Sequence, residues 1–298
     1  MSNQSENPDV PYIDASSLLR VSTWMSDFER ELFSAALRNL HDASNPLRLN
    51  NFAFSVRELM RHVLHRLAPD ENVLRCPWYA NETPTPQGIS RRQRALYAVQ
   101  GGLQDSYVTG ILGINSIAQQ KTMSRAIEVL NKYTHVGPTT FASNADDVQS
   151  VTTATIDAII GLLSTIDECR KNIVRGVEDK LHEAAIDQVL SDSLIGLIDL
   201  ASHFSVEDVD ISTITVSSID DQSVHYEAVG LIHCILQFGS NSDVRRGDGA
   251  EIPQSFPCRC ALSSPVEDPT EIEIDEDSVG VDTSEWERLR YGADEYDG

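Results

Sequence analysis

The chain has 298 residues, 41% of them apolar, which is enough for one large domain or two ordinary ones with a real core. Lys and Arg number 23 against 46 Asp and Glu, a formal net charge of −23. That balance excludes a general basic chromatin or membrane-surface protein, because phosphates would repel the chain as a whole; a locally basic site stays open.

Residues 1–25 read as a disordered lead-in, and Met1 to Val10 has neither the Lys or Arg nor the apolar core of a secretory signal. Ser26-Asp27 offers a cap for a helix, with Phe28, Leu32, Ala35/Ala36 and Leu40 recurring at helical spacing. After Asn45-Pro46 a second helix is predicted over 49–67, its apolar stripe being Phe52, Val56, Leu59/Met60, Val63 and Leu67. Ala68-Pro69-Asp70 stops it. The following Cys76-Pro77-Trp78-Tyr79 and NETPTPQG form a Pro-rich connection with an aromatic anchor. Helix resumes at Ser90, with a bend at Gly101-Gly102, and again over 116–133. A long helix starts near Asn144 and runs to about His182, and a sixth covers 191–202.

The texture then changes to β-branched and aromatic runs: VDISTITVSSID, SVHYEAVGLIHCILQFG, SFPCRCALS and PTEIEID. The chain is therefore α+β, with a helical domain over 26–204, an antiparallel β domain over 205–275 and an acidic tail over 276–298. From Pro265 to Gly298 there are 13 acids and two arginines, a net of −11. The five cysteines are scattered apart from Cys258-Arg259-Cys260, and one such pair is a weak zinc signal. A reduced, cytoplasmic protein without cofactor or membrane partner is expected.

The charge reverses between Arg57 and Arg94, where seven arginines face four acids. Arg57-Glu58-Leu59-Met60-Arg61-His62 places an arginine and a histidine with four residues between them. A guanidinium can hold phosphate oxygens in bidentate fashion, and an imidazole can exchange protons near pH 7. On an ideal helix the two side chains stand about 140° apart, whereas Arg57 and Arg61 share a face, as do Glu58, His62 and His65. Arg57, His62 and Glu58 are the candidate catalytic residues. Arg61 and the cluster Arg91, Arg92 and Arg94, with Tyr97, are the candidate nucleic-acid contacts, the arginines for phosphate and the tyrosine for stacking. The bland reading of the Arg57–His62 set is a solvated helical face, and that of the Arg91–Arg94 cluster is arginines paired with acidic faces. Two weaker signals are Glu178-Asp179-Lys180, half of a metal-nuclease pattern, and the loop Asp243, Asp248 and Glu251, whose acids could gather a divalent cation.

The R-x4-H spacing resembles that of HEPN ribonucleases, helical domains that often act as dimers and cut RNA without metal. That resemblance implies phosphate stabilisation by Arg57 and proton transfer by His62; Glu58 stands where that family usually has a small polar residue. Separately, RELMRHVLHRLAPDENVLRCPWY, RRQRALYAVQGGL, LNKYTHVG and LQFGSNSDVRRGDGAEIPQSFP resemble the bacterial family of predicted pPIWI-associating nucleases over roughly 33–262. This implies a nuclease of a defence system, with nucleic acid and a protein of the same complex as partners and a homodimer as one arrangement. A non-catalytic adaptor is the rival reading.

Overall fold

The computed structural model describes residues 11–191, 194–201 and 203–291. The chain folds as two units, residues 1–169 and 170–298. The division falls inside the long helix of residues 145–176, and the helix that follows it belongs to the second unit.

The first unit is helical. α1 (Ala15–Thr23) lies within the expected lead-in and is anchored: Val21 is buried, Arg20 donates to Ser164 Oγ at 2.7 Å, and the Tyr12 N–H donates to Gln149 at 2.8 Å. α2 (Asp27–His41) opens on a reciprocal capping box between Ser26 and Glu29. α3 (Arg48–Leu67) is the central helix, lying against α2, α5 (Arg91–Gln100) and α7 (Ser116–Thr134). Phe52, Val56, Leu59, Met60, Val63 and Leu64 form its buried stripe. The short α4 (Asp70–Arg75) follows the break at Pro69, where the sequence predicted only a stop. Trp78, Tyr79 and Ile89 then close over Ala68, Val73, Cys76 and Tyr97, and the Trp78 indole donates to Gly101 O at 2.8 Å.

At Gly101 the backbone takes φ +54°, open to glycine, so the expected bend is a full break between α5 and α6 (Asp105–Gly110). α8 (Ala145–Gly176) is 32 residues long. By length and composition one window of it could cross a membrane, but 56% of that window is buried in the protein, the pattern of a core helix.

In the second unit α9 (Glu178–Ser191) and α10 (Ile195–Ile198) precede the sheet. β1 (His203–Ile219), β2 (Ser223–Phe238), β3 (Ala250–Pro265) and β4 (Glu273–Val281) form an antiparallel meander in that order. Alternation is cleanest in β2, where Val224, Tyr226, Ala228, Gly230, Ile232, Cys234 and Leu236 are buried and the residues between them are not. α9 packs on the sheet. Edge strand β1 carries three register shifts and the acids Glu207, Asp208 and Asp210, features that discourage edge-to-edge pairing. α11 (Asn241–Arg246) links β2 to β3, and α12 (Ser284–Tyr291) lies within the expected acidic tail, whose last seven residues fall outside the described ones.

Candidate active site

Around α3, with Phe54 taken as zero and about 100° per residue, Arg57 falls near −60°, Arg61 near −20°, His65 near +20°, Glu58 near +40° and His62 near +80°. These residues occupy one face about 140° wide, and none of them is buried. Arg57 and His62 are its two borders. The α7 border is set by Arg57, which donates to Thr134 Oγ1 at 3.4 Å and lies over the Phe54 ring, 5.8 Å from its centroid. The α2 border is set by His62, whose ring meets Phe28 edge-on at 5.2 Å.

Across that face runs a chain of polar contacts. Arg57 donates to Glu58 Oε1 at 3.4 Å, Arg61 donates to Glu58 Oε2 at 2.9 Å, and Arg61 donates to His62 Nε2 at 3.3 Å. The hydrogen bond from Arg61, and then the charges of Arg61 and Arg57, hold the Glu58 carboxyl below the usual carboxylate range despite some desolvation. Arginine has no acceptor, so His62 Nε2 must receive the bond on its lone pair, which places the ring proton on Nδ1. In this arrangement Arg61 caps the basic nitrogen of His62. The Arg57 Nε–H is buried and has no partner among the described residues, a donor left over in a side chain otherwise well held.

The second cluster divides, with Arg91 and Arg92 exposed and Arg94 and Tyr97 turned inward. Arg94 is buried; it donates to Ala68 O at 2.7 Å and pairs with Asp70 at 2.7 Å, tying α5 to the end of α3. Tyr97 is only 4% exposed, and its hydroxyl accepts from Asn72 at 3.0 Å, so its ring cannot stack a base. Arg92 pairs with Glu82, and Arg91 is exposed. Asp70 also lies 3.9 Å from His65, where burial first and the Arg94 charge second lower the affinity of the ring for its proton.

The weaker signals dissolve into local structure. Asp243 is the N3 residue of the α11 capping box and pairs with Arg246 at 2.7 Å, and Arg246 also faces Asp248 at 3.9 Å. Its carboxyl is held below the usual range chiefly by the hydroxyl and backbone of Ser240. Lys180 sits in the first turn of α9 and donates to Thr270 O at 2.8 Å. Cys258 and Cys260 are buried thiols, and no metal-holding group of three or more His, Cys, Asp or Glu occurs among the described residues.

Sequence reasoning missed Phe28, Phe54 and Thr134. Phe28 was assigned to a buried stripe, yet it is 56% exposed, because α2 instead buries Glu29. That carboxylate can be inside because Arg66 reaches it at 2.8 Å and the Ser26 N–H donates to it, which more than offsets burial and leaves its carboxyl below the usual range. Phe54 could have been found from its i,i+3 spacing to Arg57. Thr134, 77 residues away, had no such signal.

Two family models, both described as predicted pPIWI-associating nuclease, match residues 22–159 and 166–287. No curated protein and no solved structure matches the chain. The two matches lie almost wholly within the first and second units respectively, and together they leave only the ends and six residues of α8 uncovered, so the chain belongs to the family of predicted pPIWI-associating nucleases.

Proposed function

We propose that the protein cleaves nucleic-acid phosphodiesters, RNA in preference to DNA, on the exposed face of α3. The observation that carries this reading is the polar chain Arg57–Glu58–Arg61–His62. A phosphate offers the two arginines what Glu58 offers them now, two oxygens and a negative charge, in a form that suits a guanidinium fork. As Arg61 turns to the phosphate it releases His62 Nε2, which takes a proton from the attacking hydroxyl as the new P–O bond forms; the P–O bond to the leaving oxygen breaks, and that oxygen is protonated from water. Arg57 supports the charge that builds on the phosphoryl oxygens. Glu58 is a positioning residue that holds both guanidinium groups in place until substrate arrives. The scheme needs no metal and matches the roles implied by the R-x4-H resemblance.

The reading is tested by cleavage of labelled RNA and DNA with and without EDTA, beside an Arg57→Ala/His62→Ala double variant. RNA cutting that resists EDTA and falls at least about 100-fold in the variant is the expected result. Cutting that survives in the variant would move the site elsewhere. The same neutralisation by Glu58 favours one rival, a non-catalytic adaptor in a defence complex, which would cut neither substrate under any condition.

A further inference from the structure

We infer that the α3 face takes a single strand, whose unpaired bases stack on Phe28 and Phe54. The inference rests on the reading of this face as a nucleic-acid site and adds the form of nucleic acid that fits it. Phe28 is 56% exposed and Phe54 55%. A lone exposed phenylalanine is unremarkable in a folded protein, so exposure by itself argues nothing. Their placement does. Each ring contacts one border residue of the polar chain: Phe54 lies beneath the Arg57 guanidinium, and Phe28 meets the edge of His62. Phe54 and His62 are eight residues apart on α3, about 12 Å along the helix axis, and Glu58 and Arg61 lie between them. The order along the face is aromatic, cation, carboxylate, cation, imidazole, aromatic.

That order suits an unpaired strand. A duplex keeps its bases stacked in pairs inside the phosphate backbone, so a phenyl ring on a convex helical surface meets only sugar and phosphate. An unpaired strand can turn a base outward on either side of a held phosphate, and every base has a π-face to offer. A phenyl ring carries no hydrogen-bonding group, so the two platforms accept any base and confer no sequence preference. The arginines supply the electrostatic hold that both forms of nucleic acid share.

The experiment compares fluorescence-anisotropy titrations of the full chain with three labelled probes at fixed salt. These are a 12-nucleotide 2′-O-methyl uridine strand, which lacks the free 2′-hydroxyl, a thymidine strand of the same length, and a 12-base-pair duplex. A Phe28→Leu/Phe54→Leu variant keeps the apolar character and removes the rings, and its thermal melt is recorded beside the wild type. The inference expects tighter binding of the strands than of the duplex. It also expects the variant to lose about tenfold or more on the strands and less than twofold on the duplex, with its melt unchanged. Strand binding equal to wild type in the Leu variant overturns the stacking inference. If the Arg57→Ala/Arg61→Ala variant still loses both forms, the nucleic-acid reading of the face survives that result. Wild-type affinity in the arginine variant overturns that reading and the inference with it.

Discussion

Arg94 and Arg61 are the same residue type, both were read as phosphate ligands, and their surroundings give them opposite work. Arg61 keeps 46% of its side chain exposed and bonds to groups on its own helix. Arg94 is buried and satisfies a carbonyl and a carboxylate belonging to a neighbouring element. Replacing Arg94 by Ala leaves Ala68 O without its partner and Asp70 without its counter-ion, at a cost of about 2–3 kcal/mol in stability. The expected outcome is a lower unfolding midpoint with nucleic-acid affinity unchanged within twofold, read by chemical denaturation and by a binding titration. A selective loss of affinity at full stability would return Arg94 to the binding surface. The difference between these arginines was not legible in the sequence. Whether an arginine faces water or turns inward depends on a carboxylate 24 positions away, and no local pattern reports it. The contrast between Arg57 and His62 was legible in part, since helical geometry alone gave their separation. That the two are joined through Glu58 and Arg61 requires the rotamers of four side chains, which spacing does not fix.

At the scale of elements, helices α2, α3, α5 and α7 were readable because their apolar residues recur within a few positions of one another, and α2, α5 and α7 also open on a side-chain cap. α1 escaped because it is short and follows a polar stretch, and its fixing contacts come from residues 149 and 164. The four strands were readable from β-branched alternation, but the reach of β1 back to His203 was not. Its register shifts between Val206 and Asp208, Ile211 and Thr213, and Val216 and Ser218 break the period-two pattern on which such a reading relies. One of these shifts explains a glycine. Gly230 pairs with Ile211 beside the second shift, and a Cβ there would stand 2.1 Å from the Asp210 carbonyl oxygen. Gly230→Ala must push β1 away from β2 and should cost about 2 kcal/mol or more. Urea unfolding followed by far-UV circular dichroism reads that loss; a change below about 0.5 kcal/mol would mean that β1 yields without penalty.

For the whole molecule, charge is divided far more unequally than composition suggests. The first unit has 14 basic and 18 acidic residues, a net of −4, and the second has 9 and 28, a net of −19. The proposed site therefore lies on the nearly neutral unit, and few cations are available to a strand bound there. With two or three phosphates held, the logarithm of affinity should fall against the logarithm of salt with a slope of about −1.4 to −2 for a single strand. A slope of −5 or steeper would require a far larger basic surface than α3 offers. The halves of the family signature meet between residues 159 and 166, inside α8, where Leu162, Leu163 and Ile166 are buried. A gene divided at that junction would sever no linker; it would halve a continuous helix and strip the apolar stripe on either side of the cut.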